Sequence, residues 1–356
     1  MSCFSKDLEI GHRKQKMDSQ KMQGKPKQIS RVRLKKFASY VPSTVVDNNQ
    51  ILQEIGTEPA STTSVLERVV GSKEKRAAKK DEMGSDMMAR VGTQILEECN
   101  LGLAGIDKLI CSCDPQDQAA PDTAVITQAR MGLTCPAFGI SMSCSAWLCG
   151  ILIGSGFLAN GDRRILVLAA STVGSKYFFK HPMHRAIFGD GAGGVLLEET
   201  EERGNILALD LWTDGRFYRE IFAPHPWSTV PDKVSSQYKD AFYMSPDNRI
   251  FFEAIDTYIR PFYLKQYETA GIQKDDVKFF IIHQASMPIF KHTLKSLDIP
   301  EHKVVGTFDR FGNTVSAELP IIIDQVIRGG KTKQGDIIYS LTYGAGFTAG
   351  AMIFRI

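Results

Sequence analysis

The chain is predicted to be an α/β protein built from two similar α/β halves, on three observations. Short apolar runs of strand length alternate with longer helical periods from residue 29 to the C-terminus, the pattern of sheets covered by helices. The runs are nearly continuous in apolar character, so largely parallel sheets buried on both faces are expected. A pattern of strand, glycine turn and strand also occurs twice. It reads Ile165-Leu-Val-Leu-Ala-Ala then Gly189-Asp-Gly-Ala-Gly-Gly-Val-Leu-Leu, and later Ile337-Ile-Tyr-Ser-Leu then Tyr343-Gly-Ala-Gly-Phe and Ala351-Met-Ile-Phe. Such an echo points to internal repetition. The organisation expected is a basic tail over 1–28, an N-terminal half over 29–200 and a C-terminal half over 201–356.

The elements come in the following order. A strand is expected over 29–40, a turn over 41–46 and a short helix over 47–55 capped by Asp47. Helical periodicity over 84–100 runs into a strand over 108–112. A helix over 121–131 starts at a proline, which suits a first helical turn. A short β-like run over 136–143 precedes a long apolar helix over 145–159. Strands over 164–170 and 194–198 close the first half, the latter after a glycine loop. The second half reads helix 251–270, strand 277–283, helix 287–297, strand 304–308, polar turn, helix 316–328, and strands 336–341 and 349–355.

Composition narrows the function. Among 356 residues, 43% are hydrophobic and 23% charged, enough apolar content for a large core and against global disorder. The net charge of +3 argues against nucleic acid as the main partner. Residues 1–36 hold eleven Lys/Arg against three acids, a local charge of +8. Residues 11–28 are almost free of apolar side chains and read as a solvated, mobile tail. The first thirty residues lack the apolar core of a secretory signal. The longest apolar run, 146–159, falls short of the ~20 residues that span a bilayer. Seven cysteines, an odd number set mostly in apolar stretches, suit reduced thiols in a cytoplasmic protein. None has zinc-ligand spacing, so no metal is expected.

Four segments can carry chemistry. In Phe138-Gly-Ile-Ser-Met-Ser-Cys144-Ser-Ala-Trp a β-like run ends in a cysteine and an apolar helix begins at once. A helix N-terminus favours negative charge, which suits a nucleophilic sulfur; a buried core cysteine is the plainer alternative. In Phe279-Phe-Ile-Ile-His283-Gln-Ala a histidine closes an apolar strand. The carboxyl ends of strands are where α/β folds bind ligands, so His283 is either a general base or donor, or a satisfied core histidine. In Phe308-Asp-Arg-Phe-Gly-Asn313-Thr-Val-Ser, Asn313 is either an oxyanion donor or a helix cap. Of the glycine turns, 189–194 lacks the lysine of a phosphate loop and precedes a strand, which sets nucleotide binding aside. The turn at 343–347 can bring backbone N–H groups close to a substrate.

Taken together these segments resemble the β-ketoacyl-acyl carrier protein synthase III family of the thiolase superfamily, over about residues 29–356. The motifs stand in family order: the Cys144 elbow, Phe188-Gly-Asp-Gly-Ala-Gly-Gly, His283-Gln-Ala, Asp309-Arg-Phe-Gly-Asn313-Thr, and Tyr343-Gly-Ala-Gly-Phe-Thr-Ala-Gly. The resemblance implies a thiolase-like fold in five αβαβα layers. It implies an acyltransferase in which Cys144 accepts the acyl group, His283 and Asn313 serve decarboxylation and condensation, and the N–H groups of Cys144 and Ala345 form the oxyanion hole. It also implies a homodimer with a buried pantetheine tunnel. The substrates would be acyl-CoA or acyl carrier protein thioesters, with no cofactor and no metal.

The sequence departs from the family pattern at several places. Ser286 stands where an Asn is usual, and Pro288 where a basic residue is usual. The segment 65–71 lacks a Trp, and Arg68 falls out of register. Ala345 replaces a glycine, and Phe251-Phe252 replaces a basic residue. The catalytic trio is intact and the changes fall elsewhere, so a specialised member of secondary metabolism with an altered donor or carrier is expected. Lys291 and Lys295 lie four apart on one helix face. They read as a dock for an acidic carrier protein or as a plain solvated face. Two alternatives stay open: transfer of an acyl group to an oxygen or nitrogen acceptor, and a non-catalytic subunit of a heterodimeric synthase.

Overall fold

The computed structural model describes residues 29, 31–54, 66–68, 70–177, 182–218, 220–223, 243–244 and 248–356. The expected basic tail over 1–28 lies outside them. Thirteen strands are described: β1 Val32–Tyr40, β2 Thr44–Asp47, β3 Glu74–Ala77, β4 Lys108–Asp114, β5 Ala137–Gly139, β6 Arg164–Ser171, β7 Gly191–Glu199, β8 Ile206–Thr213, β9 Ile221–Phe222, β10 Tyr243–Met244, β11 Val277–Ile282, β12 Ile337–Gly344 and β13 Thr348–Arg355. They form a five-stranded sheet in the order β1-β7-β6-β4-β5, a four-stranded sheet in the order β11-β12-β13-β8, and two small pairs.

The sheets are mixed, which corrects the expectation of largely parallel ones. β4 runs parallel to β5 and β6, but β7 is antiparallel to both β6 and β1. In the second sheet β11 and β12 are parallel, while β13 is antiparallel to β12 and β8. The continuous apolar runs report burial on both faces, and here antiparallel strands are buried as fully as parallel ones. β6 and β12 are buried at every position but one end residue each.

Five layers result. The helices Gly84–Glu98 and Thr123–Met131 cover the outer face of the first sheet through Met87, Val91, Ile95 and Met131. The helices Ala146–Leu158 and Glu318–Arg328 lie between the sheets, in one cluster with Val167, Val195, Ile338 and Met352. Helix Ala146–Leu158 is apolar on nearly every side, as a helix enclosed by two sheets must be. Beyond the second sheet lie Asn248–Ala254, a π-turn Ile255–Ile259, Arg260–Ala270 and Met287–Ser296. The single helix expected over 251–270 is therefore one rod with a π-turn inside it. Among the described residues no helix is long and apolar enough to cross a membrane.

Several local expectations hold and several do not. Asp47 caps the helix Asn48–Glu54: its Oδ1 accepts from Gln50 N at 2.9 Å, and Gln50 Oε1 accepts from Asp47 N at 3.0 Å. The turn expected over 41–46 contains β2, which pairs with β3. β8 was not expected from sequence. Most of the glycine loop 189–194 is the start of β7. There a Cβ on Gly193 would lie 2.9 Å from Pro320 Cβ and 3.0 Å from Ile321 N. The missing side chain lets the central helix Glu318–Arg328 lie directly on the sheet. The strand expected over 304–308 does not form, and Val304 keeps only an isolated bridge to Phe280. Gln284 Oε1 accepts from both Thr307 N and Phe308 N at 3.0 Å. A side chain thus takes the N–H groups that a neighbouring strand would need, and the chain curls into the turn Phe308–Phe311.

Candidate active site

Cys144 sits in the tight turn Ser143–Ser145 directly before helix Ala146–Leu158. Ser143 is left-handed at φ 47°, a strained conformation for a non-glycine residue. Neighbouring segments hold the turn in place. Thr342 Oγ1 donates to Cys144 O at 3.1 Å, and Thr348 Oγ1 donates to Met142 O at 3.3 Å. Gly344 lies flat against the cysteine: a Cβ there would be 2.9 Å from Cys144 Sγ and 3.2 Å from Cys144 N. Cys144 itself is partly buried.

His283 follows the last residue of β11 and is fully buried. Its N donates to Leu341 O at 2.8 Å, which fixes it beside the end of β12. Three groups with ionisable character face the imidazole. The Cys144 sulfur is brought to the same end of β12, since Gly344 packs on it and Leu341 holds the His283 N–H. Glu318 Oε2 makes ion-pair contact with Nδ1. The Tyr343 ring stands edge-on at 6.1 Å, its hydroxyl paired with Thr293 Oγ1 at 2.7 Å. Burial pulls the histidine toward neutrality, but the sulfur and the carboxylate outweigh it, and its pKa is pushed up to about 10.

Asn313 is buried and locked at both ends of its backbone: Asn313 N donates to Ile187 O at 2.8 Å, and Gly189 N donates to Asn313 O at 3.0 Å. Its Oδ1 accepts from Val315 N at 2.8 Å, and its Nδ2 reaches Ala285 O at 3.5 Å, two residues beyond His283. Of the two roles considered for this residue, the structure shows the cap. The oxygen caps the following turn, so the NH₂ end is the one left toward the His283 loop. Gly189 also permits this approach, because a Cβ there would lie 1.8 Å from Phe311 O.

Glu318 is a site residue that sequence reasoning missed. It opens the helix Glu318–Arg328, is fully buried, and accepts from Gln284 N through Oε1 at 3.1 Å. An acid in a first helical turn ordinarily reads as a response to the helix dipole. The usable signal was its setting: Glu318 lies between Ala317 and Leu319-Pro320-Ile321-Ile322 with no basic residue four positions away.

The other candidates are spread more widely. Ala345 begins the turn Ala345–Phe347, immediately after the glycine that packs on Cys144, and is half-buried. Lys291 and Lys295 are both exposed on helix Met287–Ser296, whose opposite face buries Ile289, Phe290, Thr293 and Leu294. Arg68 is exposed. Phe251 is buried, and Phe252 stacks on His292 at 4.3 Å. The structure thus gathers a sulfur and an imidazole at the end of β12, with a carboxylate against the imidazole and an amide donor on the adjoining loop. Such a set can form a thioester on sulfur and stabilise a developing oxyanion or enolate.

Comparisons with known proteins bear on the family and the fold. Residues 138–215 match the family model for 3-oxoacyl-[acyl-carrier-protein (ACP)] synthase III, and residues 267–356 match the model for its C-terminal part. A β-ketoacyl-[acyl-carrier-protein] synthase III of Alkalilimnicola ehrlichii is 31% identical over 330 residues, covering 92% of this chain and all of that one. The crystal structure of 3-oxoacyl-[acyl-carrier-protein] synthase III from Aquifex aeolicus superposes with a TM-score of 0.79 at 26% identity, covering 92% of this chain and 100% of that one. The Thermus thermophilus structure gives 0.80 at 25% identity, covering 90% and 98%.

Proposed function

Since the chain belongs to the β-ketoacyl-[acyl-carrier-protein] synthase III family of thiolase-fold acyltransferases, we propose that it loads an acyl group on Cys144 and condenses it with a malonyl-type thioester. The observation that carries this reading is the convergence of Cys144 and a buried His283 on the end of β12, where Gly344 lies against the sulfur and Leu341 O takes the His283 N–H. We read the N-terminal half, 29–200, as the carrier of the nucleophile and the C-terminal half, 201–356, as the carrier of His283 and Asn313. This division is supported by the two sheets, one drawn from 32–199 and the other from 206–355.

In the first half-reaction the Cys144 sulfur attacks the carbonyl carbon of an acyl thioester. The oxyanion that forms accepts from the N–H groups of Cys144 and Ala345. One such donor is worth about 2.7–4 kcal/mol to the transition state. The C–S bond to the leaving thiol breaks, and the departing thiolate takes a proton from solvent, so His283 keeps its own. In the second half-reaction the bond between the malonyl carboxylate and its α-carbon breaks. Carbon dioxide leaves, and the electron pair stays as an enolate whose oxygen accepts hydrogen bonds from His283 Nε2 and Asn313 Nδ2. The α-carbon attacks the acyl carbonyl, and the pair of the Cys144–acyl bond returns to sulfur. One negative charge enters on the carboxylate and one remains on the thiolate, so the step balances.

The finer assignments come from the chain's own residues. Ser286, Pro288, Ala345 and the pair Phe251-Phe252 alter the surroundings of an intact trio, which supports a specialised member of secondary metabolism. Lys291 and Lys295 supply a positive face for an acidic carrier protein. Among the described residues β5 has a neighbour on one side only, an edge that a second copy of the chain can meet. A second reading, acyl transfer to an oxygen or nitrogen acceptor, is favoured by one observation: the series of sulfur, imidazole and carboxylate resembles a nucleophile, its base and the group that orients the base.

The test is intact-mass analysis with a panel of acyl thioesters, followed by malonyl thioester with carbon dioxide measured. The proposal expects an adduct that maps to Cys144, then carbon dioxide release and loss of the adduct. An adduct discharged by an alcohol or amine without carbon dioxide supports the second reading. No adduct with any donor supports a non-catalytic subunit.

A further inference from the structure

Glu318 bears on a question that the mechanism leaves open, namely how His283 has a hydrogen to give. Donation to the enolate oxygen needs a proton on Nε2. A neutral imidazole has one N–H, and a carboxylate lies against Nδ1. A single proton would settle there, leaving Nε2 a bare acceptor aimed at an oxygen that also needs a donor. With Glu318 ionised, only the doubly protonated ring serves both sides.

The surroundings permit that charge. Glu318 is fully buried, and its Oε1 takes the Gln284 N–H at 3.1 Å. That leaves Oε2 to the imidazole. An isolated carboxylate in such a place is strongly disfavoured, whereas one paired with an imidazolium is compensated. The other groups facing the ring are the Cys144 sulfur, the Tyr343 edge and the neutral Asn313 loop.

We infer that Glu318 is a positioning residue that keeps His283 doubly protonated through the decarboxylation step. The inference rests on the decarboxylating reading and goes beyond it by separating the two half-reactions. In the resting enzyme the Cys144 sulfur and the Glu318 carboxyl both stand beside the imidazole. Acylation makes that sulfur part of a neutral thioester. From that moment Glu318 alone offsets the burial of the charged ring, and that is the interval in which malonyl decarboxylation occurs. Loss of the carboxylate therefore impairs decarboxylation more than the acylation that precedes it.

The experiment uses full-length protein labelled with ¹⁵N-histidine, with His283 identified by the signals lost in H283N. In wild type, and in wild type acylated at Cys144, both His283 nitrogens are expected to stay protonated beyond pH 8. In E318Q the titration of the acylated form should fall by about 1–3 pH units, the range for losing an adjacent opposite charge. The alkaline limb of malonyl decarboxylation should move down with it, while the rate of Cys144 acylation at neutral pH changes far less. E318D should recover part of both shifts. A wild-type His283 that carries a single proton at pH 7 overturns the inference, and that spectrum decides the matter even if E318Q does not fold. An E318Q titration equal to wild type overturns it as well. Absence of carbon dioxide release from wild type would sink the decarboxylating reading, and the charge on His283 would still be read directly.

Discussion

Gly344 and Cys144 are so closely packed that position 344 has no room for a methyl group: a Cβ there would lie 2.9 Å from both Cβ and Sγ of the cysteine. The end of β12 is thereby pressed against the nucleophile, with Ala345 next in line. Gly344→Ala must push either the sulfur or the turn aside. A displacement of this kind at a reacting atom costs about 10²-fold in rate. The fold should survive with a loss of about 1–3 kcal/mol, as for other overpacked sites. The rate of adduct formation by intact mass, beside a thermal melt, checks this. Acylation at the wild-type rate would show that the contact does not set the position of the sulfur.

Asn313 allows its two ends to be separated. The oxygen is committed to Val315 N at 2.8 Å, while the nitrogen lies toward the His283 loop. Asn313→Asp keeps an acceptor for Val315 and removes the donor. Asn313→Ala removes both. The aspartate variant should fold as well as wild type, acylate Cys144, and lose decarboxylation. The alanine variant should lose decarboxylation and about 1 kcal/mol of stability, the usual worth of a cap. Melting curves of the pair, with carbon dioxide release, distinguish the roles; equal stability would mean that the cap contributes nothing.

His283→Ala has two consequences. The site loses its donor to the enolate, and decarboxylation should drop by about 10²–10⁴-fold while an acyl adduct still forms on Cys144. The substitution also leaves Glu318 buried without its partner, a defect of about 3–5 kcal/mol. Adding Glu318→Gln to the same chain should restore much of that stability and none of the activity. Denaturant titration of the single and double variants measures the coupling. Additive effects would mean that the contact between Nδ1 and Oε2 carries no energy.

What could be read from the sequence divides along a physical line. Cys144, His283 and Asn313 were legible because each stands where an apolar run ends and small or polar residues begin. Glu318 was not, because its meaning depends on a histidine 35 positions earlier in the chain and on a helix that is buried to its first residue. The longer helices and most strands were legible from periodicity, whereas the short helices Val173–Lys176, Pro182–Ile187 and Phe308–Phe311 were not. Strand direction was not, since an antiparallel strand buried on both faces, such as β7, reads like a parallel one. The strand expected over 304–308 failed for a third reason: Gln284, distant in sequence, competes for the Thr307 and Phe308 N–H groups. The 189–194 glycines were recognised but their use was not. They make room for the Phe311 carbonyl and for the helix that carries Glu318.

A final prediction concerns how the layers are tied together and what acid does to them. Glu98, at the end of helix Gly84–Glu98, accepts from Lys36 Nζ at 2.6 Å in β1, from Arg328 at 2.9 Å in the central helix, and from Gln94 Nε2 at 2.8 Å. Partial burial alone would raise its pKa, but these three donors prevail and bring it down from the ordinary 4.5 to about 2. A carboxylate with a depressed folded-state value adds stability above its unfolded value and loses it as the pH falls through the folded one. The contribution should therefore be complete above pH 4.5 and vanish on acidification toward pH 2. The side chain is about a quarter exposed, and solvent screening limits the effect to about 1 kcal/mol. Glu98→Gln should melt below wild type at pH 7 by a margin that closes across this window. Melting curves for both proteins at half-unit steps from pH 6 to pH 2 give the answer. A gap that stays constant with pH would show that the glutamine disturbs packing and that the charge on Glu98 is not what joins the two helices to β1.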